Sequence, residues 1–210
     1  MKIIIIGASG GTGRELTKQA LARGYDVIAV VRNLSSMKDM KSNHLTVREG
    51  DVYRKGSIAS IVSAHPDAVL VSGLGVSGKD KKNRTDVLAT GASEVIAAHP
   101  MRIVWLGAFG SGASAQAAGW LTRKILSLMG DRLKDKVSAD TQILNAGGSV
   151  FHAGILTDGP LSSGICAVEL QHAPRSFLPR SISRANVASL MLDEASSPRF
   201  TGSVGLVMET

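Results

Sequence analysis

Cysteine is nearly absent from this chain, since Cys166 is the single cysteine among 210 residues. One thiol excludes an internal disulfide framework and cannot form a zinc site by itself, so we expect a reducing compartment, the cytoplasm. Long apolar runs are absent as well, and the sequence therefore predicts no membrane-spanning helix. The apolar start of the chain breaks at Gly7, which is too early for a signal peptide.

Aromatic residues make up only 4% of the chain, and this shortage helps to interpret the net charge of +7. The densest basic cluster, residues 79–84, contains no aromatic side chain that would stack on a base, which argues against nucleic acid as a partner. A cofactor with several phosphates is a sufficient anionic partner. The cluster is interpreted as solvated surface, with a cover over bound phosphates as the alternative.

A glycine-rich turn follows the first apolar run, with the spacing G-x-x-G-x-x-G at Gly7, Gly10 and Gly13. Gly7 permits a tight turn, Gly10 allows the backbone to approach a pyrophosphate, and Gly13 allows the next helix to pack closely. The helix that begins near Gly11 directs its free N–H groups at the phosphates. This pattern predicts a dinucleotide site.

The second predicted strand ends in Arg32, where NAD-specific sites carry an acidic residue for the ribose hydroxyls. A guanidinium suits a 2′-phosphate because it donates two parallel charge-assisted hydrogen bonds. We therefore expect NADP(H) to be preferred over NAD(H). The alternative is that the Arg32 side chain only lies along the surface at a strand end.

Strand-like runs alternate with helical stretches, as in repeated βα units. The predicted strands are 2–6, 26–31, 44–48, 67–71, 101–105, 149–152 and 203–208, and the predicted helices are 11–23, 34–40, 56–64, 84–98, 132–146 and 184–195. This order predicts the α/β class, with a single doubly wound, Rossmann-like parallel sheet and helices on both faces. We expect one NAD(P)-binding domain, 1–210, in which residues from about 153 to 210 complete the substrate side.

A series of motifs resembles, in the same order, the atypical short-chain dehydrogenases/reductases: residues 7–13, 31–32, 50–52, 72–73, 108–109, 154–159 and 183–188. The similarity is greatest to the NAD(P)H-binding group that contains biliverdin reductase B (flavin reductase) and the NmrA-like proteins. The resemblance implies pyrophosphate contacts at Ser9, Gly10, Gly11, Thr12 and Gly13, a 2′-phosphate contact at Arg32, adenine contacts at Asp51 and Val52, ribose and linker contacts at Gly73 and Leu74, and a nicotinamide side at Leu106 and Gly107. Lys136, four residues before Asp140, matches a frequent K-x-x-x-[DE] arrangement of the family. From the residues alone, Asp51 is equally a cap or turn residue.

Three departures from the family concern the substrate side. Gly107 stands where many members carry Ser or Thr, so a hydroxyl that would bind substrate is missing. His152 and Ala153 replace a frequent Arg-Pro pair. The histidine that lies beside the substrate in biliverdin reductase B corresponds to a position near Ile155, so this contact is not carried over to the present chain.

The tyrosine acid of typical short-chain reductases is also missing, because Tyr25 and Tyr53 are followed four residues later by Ala29 and Ser57 rather than lysine. Hydride transfer belongs to the cofactor, and a flavin or quinone takes its proton from solvent. Phe109 is a catalytic candidate as an apolar platform, with simple packing as the alternative. His152 is a second catalytic candidate, as a proton relay, with a structural histidine as the alternative.

Further expectations concern two other segments and the remaining histidines. Trp120 is expected to pack on a helix face. Residues 107–130 are expected to form a lid, because their small residues permit hinge motion. The other histidines show no spacing typical of a metal site.

The first functional hypothesis is therefore an NADPH-dependent reductase that transfers hydride to a small planar acceptor of the flavin, quinone or tetrapyrrole type. The second is a non-catalytic redox sensor of the NmrA-like type, which binds NADP(H) and signals to a protein partner. Epimerase or dehydratase chemistry on a nucleotide sugar is disfavoured, because the Tyr/Lys pair is missing. The identity of the acceptor, turnover itself and the oligomeric state stay open at this level.

Overall fold

A computed structural model describes residues 1–75, 85–115, 124, 128, 130–172 and 180–209. The basic cluster 79–84, Trp120 and most of segment 116–130 of the expected lid lie outside the described residues.

The strands of the main sheet are β1 (Lys2–Ile6), β2 (Asp26–Val31), β3 (Leu45–Glu49), β4 (Val69–Ser72), β5 (Ile103–Ala108), β6 (Ser149–Ala153), β8 (Ile165–Glu169) and β10 (Val204–Glu209). They lie side by side in the order β3-β2-β1-β4-β5-β6-β10-β8. All neighbouring pairs are parallel except β10 and β8. The order reverses direction between β1 and β4, so the predicted doubly wound α/β fold is confirmed.

The helices of the described residues are α1 (Gly11–Ala22), α2 (Ser57–Ser63), α3 (Val87–Ala97), α4 (Asp131–Asn145) and α5 (Arg184–Ser196). The predicted helix 34–40 is wrong, because only a short 3₁₀ turn forms there, Leu34–Met37. The Asn33 side chain accepts a hydrogen bond from the Ser35 backbone N–H at 2.9 Å. Such local side-chain bonds favour a turn over a regular helix.

The isoleucines of β1 explain why helices cover both faces of the sheet. Ile3 and Ile5 are buried in one apolar cluster with residues of α1 and α5. Ile4 and Ile6 are buried in a second cluster with residues of α2, α3 and α4. A central parallel strand that is apolar on both faces is buried on both.

The C-terminal region contains elements that the sequence pattern did not predict. Strand β8 adds an antiparallel edge, and the short strands β7 (Ile155–Thr157) and β9 (Ser181–Ser183) pair in parallel as a separate sheet. Three-residue strands are too short to show a periodic pattern. No helix in the described part of the chain has the length and apolarity to cross a membrane.

Candidate functional site

The turn between β1 and α1 has glycines at positions where other residues would not fit. Gly7 has a φ of +70°, and a Cβ on it would lie 2.8 Å from the Leu74 Cα. The Gly10 N–H donates to the Gly7 carbonyl at 3.0 Å, which closes the turn. No side chain caps the N-terminus of α1, so its first N–H groups are left for a ligand.

Gly13, the third residue of α1, has a packing role. A Cβ on Gly13 would lie 2.1 Å from the Gly7 carbonyl oxygen, and a Cβ on Gly73 would lie 3.0 Å from the Gly13 Cα. The helix therefore rests directly on the ends of β1 and β4. Gly13 is buried and is not in the cavity wall described next, unlike the other predicted cofactor residues.

A cavity of about 580 Å³ opens at the carboxyl ends of the parallel strands. Its wall contains these predicted cofactor residues: Gly7, Ser9, Gly10, Gly11, Thr12, Arg32, Asp51, Val52, Gly73, Leu74, Leu106, Gly107 and Lys136. This edge of a doubly wound sheet is where ligands of such folds bind, and the volume is typical of a ligand pocket.

The charged residues of the cavity wall are mostly cationic. Arg32 follows β2, Lys136 lies on α4, and Arg184 is the first residue of α5, whereas Asp51 is the one carboxylate in this wall. The cations are spread along the cavity, from the end of β2 past the glycine turn to the end of β5. This distribution suits a ligand that carries phosphates at separate points.

Asp51 combines a turn role with its place in the cavity wall. Its Oδ1 accepts a hydrogen bond from the Tyr53 N–H at 3.0 Å, and its own N–H donates to the Ser57 Oγ at 3.1 Å. The Tyr53 hydroxyl donates to the Asp86 Oδ1 at 2.8 Å. The loop after β3 is thereby held against the N-terminal end of α3.

At the opposite end of the cavity, Gly107 lies beside His152. The two residues are paired in register between β5 and β6. A Cβ on Gly107 would lie 2.6 Å from the His152 Cδ2 and 2.9 Å from the Asp140 Oδ2. The imidazole thus occupies the space that a side chain at position 107 would need.

His152 itself is fully buried and does not line the cavity. Its Nδ1 is 2.6 Å from the Ser114 Oγ, and its Nε2 is 3.0 Å from the Asp140 Oδ2. With both ring nitrogens engaged in hydrogen bonds, the geometry is that of a structural histidine. The imidazole therefore offers no surface to a ligand in this cavity, where the expected proton relay would need one.

Phe109, the other catalytic candidate, also does not line the cavity. It is 7% exposed and packs with Leu206 of β10, against Val168 and Met208. The ring thus contributes no surface to the cavity wall, and its role as an apolar platform for an acceptor stays a prediction. Leu74, Leu106 and Leu156 are the leucines of the cavity wall.

Lys136 is half-buried in the cavity wall, one helical turn before the buried Asp140. Burial lowers the pKa of the Lys136 ammonium below its ordinary value, and the negative charges of Asp140 and Asp135 partly oppose this shift. Within the described residues, the Asp140 Oδ1 is buried and has no hydrogen-bond partner.

Asp135, beside Lys136, has a structural role. Its carboxylate accepts hydrogen bonds from the Leu88 N–H at 3.1 Å and the Ala89 N–H at 2.8 Å, and so caps the N-terminus of α3. Burial raises the pKa of Asp135, although the two backbone hydrogen bonds act in the opposite direction.

Sequence reasoning missed Arg184 and Tyr53 as residues of the cavity wall. Arg184 lies in the motif at 183–188, but its place depends on β9, a strand that the pattern did not predict. In the described ranges, no group of His, Cys, Asp and Glu side chains is arranged to hold a metal ion.

The parallel sheet, the uncapped helix after a glycine turn and the cavity at the strand ends define a Rossmann-like dinucleotide-binding protein. Residues 7–198 match the model of the NAD(P)H-binding family, and the chain belongs to that family. The resemblance that the motifs indicated is thereby confirmed.

Similar proteins support the same fold. The uncharacterized protein YwnB of Bacillus subtilis (strain 168) is 45% identical over 53 residues, which are 25% of this chain and 24% of that protein. Anaerobilin reductase ChuY of Escherichia coli O157:H7 has a TM-score of 0.79 at 21% identity, over 100% of this chain and 97% of its own.

Two further solved structures are similar to this protein over nearly the whole chain. A candidate NADH-flavin reductase of Streptococcus pneumoniae has a TM-score of 0.74 at 16% identity, with 100% of both chains covered. A short-chain dehydrogenase/reductase (wide type) of Veillonella parvula, in complex with NADP, has a TM-score of 0.73 at 16% identity, over 99% and 94% of the two chains. At these identities the likeness shows the fold.

Proposed function

We propose that this protein is an NADPH-dependent reductase that transfers hydride to a small planar acceptor of the flavin, quinone or tetrapyrrole type. The observation that carries the proposal is the cavity at the strand ends, in which the uncapped N-terminus of α1 and Arg32 share one wall. A diphosphate fits the first and a 2′-phosphate fits the second.

The residues present fit a dinucleotide along the whole cavity. Ser9, Gly10, Gly11 and Thr12 would hold the diphosphate, Asp51 and Val52 would border the adenine, and Gly73 and Leu74 would border the ribose. When bound, the nicotinamide supplies the hydride. Leu106 and Leu156 would exclude water from its acceptor.

The missing acid narrows the range of acceptors. Tyr53 is the one tyrosine in the described cavity wall, and its hydroxyl is engaged with Asp86. A flavin or quinone accepts hydride without a positioned tyrosine, because its proton comes from solvent. Two proteins of similar structure support this class of acceptor, because one is named an anaerobilin reductase and the other an NADH-flavin reductase.

The test is oxidation of NADPH by the purified protein with FMN, riboflavin, a small quinone or biliverdin, with NADH in parallel. We expect turnover with at least one acceptor, and faster turnover with NADPH than with NADH. Reactions without protein control for direct reduction of the acceptor. Cofactor binding without turnover of any acceptor would contradict the reductase proposal.

A specific observation favours a second candidate function, a non-catalytic NADP(H)-binding redox sensor that signals to a protein partner. The His152 imidazole fills the space beside Gly107, so no hydroxyl side chain emerges at that point of the cavity. Saturable NADPH binding without turnover would favour this candidate. The cytoplasm stays the predicted location for either function.

A further inference from the structure

Arg184 is held at the glycine turn by the packing of two helices that are distant in sequence. It is the first residue of α5, whose N-terminus is capped by the Ser183 Oγ, which accepts from the Asn186 N–H at 3.0 Å. Helix α5 is fastened to α1, because the Gln19 Nε2 donates to the Ala185 carbonyl at 2.9 Å. The Arg184 backbone therefore has a defined place beside the start of α1.

The Arg184 side chain lies across the first turn of α1. A Cβ on Gly11 would lie 2.7 Å from both the Cδ and the Nε of Arg184. Gly11 thus leaves the room that this side chain occupies, and both residues line the cavity. The guanidinium consequently lies next to the uncapped N–H groups of α1.

The partners of Arg184 do not account for this position. Its Nη1 donates to the Asp158 Oδ1 at 2.5 Å, and no other hydrogen bond of its side chain occurs among the described residues. The Asp158 side chain is 88% exposed, and exposed ion pairs contribute little to stability. The remaining guanidinium donors stay available to a ligand at the helix N-terminus.

We infer that Arg184 binds the diphosphate bridge of the dinucleotide, an inference that rests on the proposed function. A guanidinium pairs with phosphate oxygens through parallel charge-assisted hydrogen bonds, and the helix N–H groups bind the same anion from the other side. Arg184 and Arg32 then have different tasks. Arg184 recognises a group that NADH and NADPH share, whereas Arg32 recognises the 2′-phosphate of NADPH alone.

The test is the dissociation constant of NADPH and of NADH, measured by titration for the wild type and for Arg184→Gln. We expect the variant to bind both cofactors more weakly by a similar factor, roughly ten- to hundredfold. The ratio of the two constants should stay as in the wild type. Arg184→Lys, which keeps the charge but loses the planar fork, should recover part of the affinity.

Asp158→Asn is the matched control, because it removes the ion pair and leaves the cation. We expect it to bind both cofactors within about threefold of the wild type. If it loses as much affinity as Arg184→Gln, Arg184 acts by holding the segment that carries Asp158, and the inference is overturned. Thermal unfolding of each variant shows whether a loss of binding reflects a loss of fold.

The results also separate this inference from the proposed function. Unchanged affinity of folded Arg184→Gln, with a wild type that binds NADPH, overturns the inference and leaves the proposed function intact. A wild type that binds neither NADPH nor NADH overturns both.

Discussion

The imidazole of His152 fills the space that any side chain at Gly107 would need. The two residues pair between β5 and β6, and a Cβ at position 107 would meet the His152 Cδ2 at 2.6 Å. The ring does not yield easily, because Ser114 and Asp140 hold both of its nitrogens. The missing side chain at position 107 and the buried imidazole at position 152 are therefore two parts of one packing arrangement.

Gly107→Ser should accordingly destabilise the protein by about 1–3 kcal/mol, because it overpacks a closed site. In a His152→Ala background the same substitution should cost much less, since the imidazole is gone. Urea unfolding of the four proteins of this cycle measures the coupling. Additive effects of the two substitutions would show that the contact is not the reason for the glycine.

Arg32→Gln should remove most of the preference for NADPH over NADH. The loss of a bidentate contact to the 2′-phosphate predicts a roughly ten- to hundredfold weaker binding of NADPH. NADH affinity should change little, because NADH has no 2′-phosphate. Arg48→Gln is the control, since Arg48 is an exposed arginine on β3 outside the cavity wall. A variant that keeps the wild-type preference would refute the role of Arg32.

The lowered pKa of Lys136 predicts that cofactor binding weakens at alkaline pH. Its pKa is lowered by burial, with Asp140 and Asp135 in partial opposition, and the ammonium is present only below that pKa. As the pH rises through the lowered pKa, the positive charge of the cavity wall is lost and the affinity for NADPH should fall. In Lys136→Arg the charge persists, so this alkaline decline should disappear.

The measurement is the NADPH dissociation constant as a function of pH for the wild type, Lys136→Arg and Lys136→Met. The methionine variant should bind more weakly at neutral pH and show no decline of its own at alkaline pH. A decline identical to that of the wild type in both variants would assign the titration to another group.

Glu194 fastens the end of α5 to the sheet and should matter for stability but not for binding. Its buried carboxylate accepts from the Ser149 Oγ at 2.7 Å, the Arg199 N–H at 2.8 Å and the Phe200 N–H at 2.9 Å. Glu194→Gln replaces one acceptor oxygen with an NH₂ group and should cost about 1–3 kcal/mol in urea unfolding. NADPH affinity below the unfolding transition should be unchanged. Glu169→Gln, at an exposed carboxylate, is the control.

The fold and the glycine turn of the candidate site were predictable because their signals are local. The run of isoleucines in β1, the glycine turn and the strand that ends before Arg32 each depend on residues close in sequence. Short elements such as β7 and β9 left no such pattern, and the helix expected at 34–40 was replaced by a turn that Asn33 organises. In that segment the hydrophobic periodicity was weak, and local hydrogen bonds determined that a turn forms instead of a helix.

The sequence by itself determined the dinucleotide class of this protein, because glycine spacing and the apolar pattern of the strands suffice for it. The tertiary structure alone decided that Arg184 lies across Gly11 and that His152 lies beneath Gly107. The physical reason is that such contacts depend on strand order and on how α5 packs against α1. No short stretch of the chain encodes either of them.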